Sequence, residues 1–518
     1  MHGPFLTLRV ARSVGTLAIL LALIVPPARA AETPAQSPTA PGAAAAAKTD
    51  GSQTVQRQKQ LAEEKELLRL FADTLEQVKL KYVDAGVSDR QLIEAAIRGM
   101  ISELDPYSNY IPPEDLEQFR RGVEREYAGI GIHVAERDGH LCIISPMFGT
   151  PAWRAGLRAG DRILKIDDKS TEGLPINDAV RLMTGDAGSD VTISVLHTDE
   201  QKLESVTLKR EVIRIPTVLG YRRVADGQWD YYCRPEQKIA YIRITAFSRN
   251  TPSELTAALQ QLLSNGMQML VLDLRFNPGG TLPEAIEVCD LFLREGTIVS
   301  TEGRSEPKKT WQAREEGTVI PAGFPVAVLV NRFSASAAEI VSACLQDHGL
   351  AVVIGERTWG KASVQNVILL ENQKSALRLT TASYQRPSGK NIHRLPDASE
   401  NDDWGVRPND GFAVECSRAE LGRLVQQLSE LEQVPSPAGP EKPAGPEKPA
   451  GPEKPADGED KGEASQPAFV DRQLAKAIEH LLSRTGQPAQ ATDAGPTEQV
   501  PQAAVPNPDQ PPAPEKKQ

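Results

Sequence analysis

The sequence predicts a multidomain α/β protein with a helical N-terminal segment, a small partly open β-barrel, and a layered core of alternating strands and helices around a largely buried sheet. Three observations lead to that reading. From about Val55 to Met100 the apolar residues Leu67, Leu70, Phe71, Leu75 and Val78, then Leu92, Ile93, Ala96, Ile97 and Met100, recur at helical spacing. Between Glu124 and Arg210 the pattern becomes short strands separated by Gly-containing turns. From Ile213 to about Leu431 strands and helices alternate, as in "KIAYIRITAF", "TPSELTAALQQLLSNG" and "MQMLVLDLRF".

Taken in order, residues 1–30 read as an export signal, with Arg9 and Arg12 ahead of an apolar run from Leu17 to Val25 and then Ala28-Arg29-Ala30 as a cleavage site. That run is short for a membrane span, and an uncleaved anchor is the rival reading. The chain is therefore expected in the periplasm or cell envelope. Residues 31–54 read as a disordered linker and 55–123 as the helical region, broken near Asp84 to Ser88 and turning at Asp105-Pro106 and Pro112-Pro113. The barrel occupies 124–210, with five strands, one helical turn at "PAWRAGL" and one longer helix at "PINDAVRLMTG". The α/β core spans 211–434. Residues 435–466 form a Pro-rich linker that repeats a six-residue unit three times in "AGPEKPAGPEKPAGPEKP". A helix with Leu474, Ala477, Ile478, Leu481 and Leu482 on one face fills 467–484, and a disordered tail follows at 485–518.

With 518 residues, 40% hydrophobic, the chain is long enough for two or more cores. Its net charge of −11, with acidic residues dispersed, argues against a nucleic-acid partner. Cys142, Cys233, Cys289, Cys344 and Cys416 are odd in number and lack metal-ligand spacing, so neither a disulfide framework nor a zinc site is expected.

The chemistry turns on "NRFSASAAEIVSACLQDHG", where Ser336 and Glu339 fit an ordinary capping box ahead of an apolar helix. A nucleophilic serine needs a base. His348 would lie at the far end of that helix, about 18 Å away at the helical rise. Five other histidines, His133, His140, His197, His393 and His480, are scattered. Lys361 remains, entering a strand in which Lys361, Ser363 and Gln365 share a face by period two. Desolvation would lower its proton affinity, although an exposed loop lysine is the commoner fate. "MLVLDLRFNPGG" runs a buried strand into Asn277-Pro278-Gly279-Gly280, exposing backbone amides that suit a developing oxyanion, and the Ala337 amide at the helix start is a further donor. Alone, the same residues read as a Pro-Gly turn.

These segments together carry a resemblance. "SASAAE", "GERTWGKASVQ", "LDLRFNPGG" and "AAIRGMISELDPYSNYIPPED" resemble, in the family's order, the C-terminal processing peptidases, tail-specific serine proteases of family S41 with a Ser-Lys mechanism and a ClpP/crotonase-like α/β core. The likeness runs from about Leu67 to Pro408, with "DRQLAKAIEHL" matching the closing helix. It implies Ser336, not Ser334, as nucleophile, Lys361 as base 25 residues on, and Gln365 as the residue that positions the lysine. The oxyanion turn is matched by Arg275, Asn277, Gly279 and Gly280, with Phe276 and Pro278 as variants. Ala338 replaces a frequent second serine, and "GKNIHRLPDASENDDWGVRPND" is longer and more acidic than usual.

The barrel resembles a bacterial PDZ domain. The resemblance implies that Gly129, Ile130, Gly131 and Ile132 cradle a peptide carboxylate, with Ile130, Ile132, Val180 and Met183 lining a side-chain pocket. The plain alternative is that these apolar residues fill a small core. The implied function is endopeptidase cleavage of exported proteins with free apolar C-termini, without metal or organic cofactor, with a homo-oligomer or adaptor protein left open as partner. The rivals are an inert PDZ-bearing adaptor and a structural envelope protein.

Overall fold

The computed structural model describes residues 43–84, 86–197, 201–224, 227–434 and 469–484. The expected export signal, the Pro-rich linker and the terminal tail lie outside these. No helix among the described residues is long and apolar enough to cross a membrane. The chain divides into two compact units, residues 1–92 and 93–518.

In the first unit, helix α1 runs Ala43–Lys81. It begins inside the stretch expected to be a linker, because "AAAAAK" has the highest intrinsic helix propensity available. Leu67, Leu68, Leu70, Phe71 and Val78 are exposed. Helix α2, Asp89–Ser102, whose residues from Ile93 on belong to the second unit, is started by a Ser88–Gln91 capping box: the Ser88 N–H donates to Gln91 Oε1 at 3.0 Å and the Gln91 N–H to Ser88 Oγ at 3.2 Å.

In the second unit, strand β1, Asn109–Ile111, leads into α3, Pro113–Glu124, which opens with proline at its first position. A six-stranded antiparallel sheet, Ile132–Arg137, His140–Pro146, Arg162–Ile166, Lys169–Ser170, Asp190–His197 and Lys202–Lys209, then curls around α4, Ile176–Met183. Its core holds Ile143, Ile163, Ile166, Ile193 and Val195, all essentially inaccessible. Buried Arg210 donates to the carbonyls of Leu182, Met183 and Asp190, satisfying the C-terminal end of α4. The strands Glu126–Gly129 and Glu211–Arg214 pair with each other where the chain enters and leaves this domain.

The core is built on parallel strands β2 (Ile239–Ile244), β3 (Met269–Asp273), β5 (Val326–Val330) and β6 (Val352–Gly355), adjacent in that order. Every residue of β3 and β5 is buried, the mark of a sheet covered on both faces. Helices α5 (Thr251–Ser264), α6 (Leu282–Asp290) and α7 (Ala337–Asp347) cover one face. Strand β4 (Thr297–Gly303) packs beyond α6 and α7 and belongs to a second, antiparallel sheet with β8 (Ser375–Gln385), which also pairs with β1 and with β7 (Ser363–Leu370). After α8 (Arg418–Glu432), helix α9 (Arg472–Arg484) covers the other face of the parallel sheet through Ala477, Ile478 and Leu481.

Helix α9 is also fastened by charge. The fully buried guanidinium of Arg275, just past β3, donates to both oxygens of Asp273, to Asp471 Oδ1 at 3.0 Å and to Gln473 Oε1 at 3.1 Å. Asp471 also caps α9, accepting the Leu474 N–H at 3.0 Å. Because asparagine caps about as well as aspartate, Asp471→Asn should isolate the charge. We expect a loss of about 1–3 kcal/mol in urea denaturation, since Asp273 still pairs Arg275. An unchanged midpoint would show that α9 is held by apolar burial alone.

Candidate active site

Ser336 sits at the start of α7 with φ 56° and ψ −115°, a conformation that L-residues rarely adopt. Its surroundings enforce it. The Ser336 N–H donates to Glu339 Oε2 at 2.8 Å, and its carbonyl accepts the N–H groups of Glu339 and Ile340 and the hydroxyl of Tyr384. The carboxylate half of the capping box forms, while the Glu339 N–H goes to the Ser336 carbonyl rather than to its hydroxyl, and Glu339 does more than cap. Its fully buried carboxylate also accepts the Lys361 N–H at 2.9 Å, the Gly360 N–H at 2.7 Å and the Thr358 hydroxyl at 2.5 Å. One carboxylate therefore binds the backbones of the candidate nucleophile and the candidate base. Burial pushes its carboxyl up to about 7, against the pull of those four donors.

Tyr384 on β8 repeats the linkage. Its hydroxyl lies 3.2 Å from the Ser336 carbonyl and 2.8 Å from the Lys361 carbonyl. Lys361 Nζ stands over the ring of Tyr107, 4.9 Å from its centroid. Burial, then the positive charge of Arg378, lowers the lysine's proton affinity, opposed by Glu339 and Asp105. No hydrogen bond joins Ser336 Oγ to Lys361 Nζ in this resting geometry. Gln365 does not touch the lysine amine either: its Nε2 donates to Ser363 Oγ at 2.9 Å and Thr380 Oγ1 at 3.1 Å. Ser363 and Gln365 share a face as the period of two requires, but β7 begins at Ser363, so Lys361 precedes the strand.

The glycine turn packs directly on the nucleophile loop. A Cβ on Gly279 (φ 101°) would fall 2.8 Å from Ser336 Cβ and 3.0 Å from the Ala337 nitrogen, and one on Gly280 would fall 1.9 Å from the Phe247 carbonyl oxygen. Buried Asn277 ties the pieces together: its carbonyl accepts the Ala335 N–H, its Oδ1 accepts the Gly279 N–H at 2.8 Å, and its Nδ2 donates to the Ile244 carbonyl at 2.7 Å. The Gly279 amide is thus engaged. Among the described residues the N–H groups of Gly280 and Ala337 have no acceptor, which leaves these two for an incoming oxyanion.

Ser334 is wholly buried, donating to the Leu274 carbonyl and accepting from the Asn331 N–H, so it is a structural residue. His348 ends α7 and bonds the Thr297 carbonyl. His393, which in the sequence was one of several scattered histidines, comes beside the site: its Nδ1 accepts the Ala362 N–H at 3.2 Å and its ring lies edge-on to Tyr107 at 6.4 Å.

This architecture has known relatives. Residues 238–408 match the model of peptidase family S41, residues 143–196 that of a PDZ domain, and residues 39–115 that of the activating protease CtpB N-terminal domain. A carboxy-terminal-processing protease of Bartonella bacilliformis is 39% identical over 335 residues, 64% of this chain and 73% of that protein. The chain belongs to the carboxy-terminal processing proteases of peptidase family S41. The carboxy-terminal processing protease CtpA of Bacillus subtilis is 36% identical over 62% of this chain and 65% of its own length. Among solved structures, a photosystem II D1 C-terminal processing protease aligns at 26% identity and TM-score 0.38, covering 70% of this chain and 97% of that one.

In the PDZ domain of this S41 protease the apolar candidates divide. Ile130 and Met183 are buried in the domain's own core, Ile132 packs at its margin, and Val180 is 39% exposed. The loop carbonyls turn inward: that of Ile130 accepts the Ala152 N–H, and that of Gly131 accepts the Met147 N–H and the Thr150 hydroxyl. Gly131 (φ 76°) admits no side chain, since a Cβ would fall 2.4 Å from Thr150 Cβ. Gly129 is held in the short strand paired to Glu211.

Glu339 generates a pH prediction. A carboxyl raised by burial contributes stability that is complete below the ordinary carboxylate range and is lost as pH climbs through about 7. Glu339→Gln should remove that slope, which amounts to about 3 kcal/mol between about pH 5 and pH 8. It should also lower kcat at least about tenfold, because an amide nitrogen in place of one oxygen faces backbone donors. Urea titrations at the two pH values, with peptide cleavage alongside, check both; a parallel slope in the variant would assign the titration elsewhere.

Proposed function

We propose that this protein is a Ser-Lys endopeptidase of the cell envelope that selects exported proteins by their exposed C-termini through the PDZ domain and cleaves them in the S41 core. The observation that supports it most is the joint suspension of Ser336 and Lys361 from Glu339, with the acceptor-less amides of Gly280 and Ala337 beside the serine.

In this reading neutral Lys361 swings from the Tyr107 face to take the Ser336 Oγ proton as the oxygen attacks the scissile carbonyl carbon. The carbonyl oxygen becomes an oxyanion held by Gly280 and Ala337. The tetrahedral intermediate collapses, the C–N bond breaks, and the protonated lysine gives its proton to the departing amine. Water, deprotonated by the same lysine, then hydrolyses the acyl-serine. Gln365 bonds Ser363 and Thr380 and is read as steadying the start of β7, two residues after Lys361. The domain boundaries 124–210 for the PDZ domain and 211–434 for the protease core are carried forward as part of this reading.

Ser336→Ala should abolish cleavage of an unfolded substrate without loss of fold. Ser334→Ala should retain kcat while losing about 1–3 kcal/mol of stability, since two buried hydrogen bonds go. Lys361→Arg should be as inactive as Lys361→Ala, because guanidinium does not give up its proton near neutral pH. The base works unprotonated, so activity should rise as pH climbs through the lysine's lowered pKa. Full activity in Ser336→Ala or Lys361→Arg would overturn the dyad.

Tail reading is tested separately. The carbonyls of Ile130 and Gly131 are engaged inward, so the N–H groups of the same peptide planes, those of Gly131 and Ile132, point the other way, which supports their use in holding a carboxylate. Amidating a substrate's C-terminus removes a charge-assisted hydrogen bond and should weaken binding by roughly 1–3 kcal/mol, seen as a higher KM with a smaller change in kcat. Identical kinetics for amidated and free-acid peptides would remove the tail-reading role and leave the protease core.

A further inference from the structure

Among the described residues Lys361 Nζ has no ion-pair partner; it faces the ring of Tyr107, and that ring is held with care. The turn that carries it is closed by Asp105, whose carboxylate accepts the Tyr107 N–H at 2.7 Å, the Ser108 N–H at 2.8 Å and the Ser108 hydroxyl at 2.8 Å. Arg378 Nε donates to the Tyr107 carbonyl at 3.0 Å, the Thr380 N–H donates to Ser108 Oγ at 3.0 Å, and β1 continues the segment as a strand on β8. The sequence "ELDPYSNY", remote from the nucleophile, is thereby sewn onto the sheet beside the base.

We propose that Tyr107 is a positioning residue for Lys361: its ring takes the place of water around Nζ and holds the amine, unpaired with any carboxylate, ready to accept the serine proton. The proposal rests on the Ser-Lys reading. An aromatic face attracts an ammonium, but it returns only part of the solvation that water supplies, so covering Nζ with a ring favours the neutral amine. The other groups that face the lysine come from every side: Arg378 on β8, Glu339 on α7, Asp105 in the turn, and His393, which feels the lysine's charge, from the 391–404 loop. Arg378 works with the ring, and the two carboxylates work against it.

The test is the pH dependence of peptide cleavage by the full-length protein and its Tyr107→Phe, Tyr107→Ala, Tyr107→Gln and Lys361→Ala variants. Tyr107→Phe keeps the ring and should stay within about twofold of the parent with the same inflection. Tyr107→Ala and Tyr107→Gln admit water, so their inflection should move up by about one pH unit, with kcat down about tenfold near neutral pH and recovered at high pH, and KM moving less than kcat. If Tyr107→Ala does not fold, as judged by its circular dichroism melt, Tyr107→Gln decides. An inflection that stays or moves down in these variants, activity lost equally at every pH, or a Tyr107→Phe variant that behaves like Tyr107→Ala would each overturn the proposal. Lys361→Ala separates this from the reading beneath it: a Lys361→Ala enzyme that keeps the parental pH profile removes lysine as the base, whereas an inactive one with unmoved Tyr107 profiles removes only the role of the ring.

Discussion

A single buried carboxylate organises this candidate active site. Taking a carboxylate out of water is expensive by several kcal/mol, and hydrogen bonds to a charged group return roughly 1.5–3 kcal/mol each. Glu339 collects four, from Ser336, Thr358, Gly360 and Lys361. Its carboxyl nevertheless remains shifted up to about 7, so the donors do not fully offset the burial. Its value is therefore geometric. The donors lie on two segments of chain, and a carboxylate that must have all of them fixes one segment against the other.

The turn beside the serine obeys a similar logic at lower cost. Asn277 is neutral, yet its side chain and carbonyl bridge the end of β2, the Gly279 amide and the Ala335 amide. Gly279 and Gly280 are required because the Ser336 loop and Phe247 leave no space for a Cβ. Arg275, two residues earlier, passes the demand on to α9, whose Asp471 and Gln473 complete its hydrogen bonding. The end of β3 thus depends on a helix that rejoins the fold after the Pro-rich stretch.

Much of this was legible in the sequence, and the exceptions share a cause. Periodicity located the strands and helices of the core, and the β3 strand running into Asn277-Pro278-Gly279-Gly280 announced an exposed turn. Glu339 was read as a cap because the capping box is local and complete in itself; its other donors arrive from 358–361 through the fold. The side chains of Tyr107 and His393 cannot be placed beside the base from sequence, since the groups they face, Lys361 and the Ala362 N–H, lie far along the chain. Alternation placed Ile130 and Met183 among apolar positions but could not separate core from pocket, and both proved to be core. The start of α1 at Ala43 was missed because a composition typical of tethers, rich in alanine, is also the best local helix former.

The resting geometry then has a consistent meaning. Ser336 is held in a left-handed conformation worth on the order of 1–3 kcal/mol of strain, and its N–H and carbonyl are both hydrogen-bonded, so the backbone is fixed before substrate arrives. The lysine backbone is fixed equally, by Glu339 through its N–H and by Tyr384 through its carbonyl. The amine rests over Tyr107 rather than on Ser336 Oγ. In the proposed mechanism the lysine side chain would cross that gap by rotating about its own bonds while both backbones stay in place. In that mechanism the fixed backbone would supply the oxyanion amides and the positions of the two Cα atoms, and the lysine side chain would carry the proton.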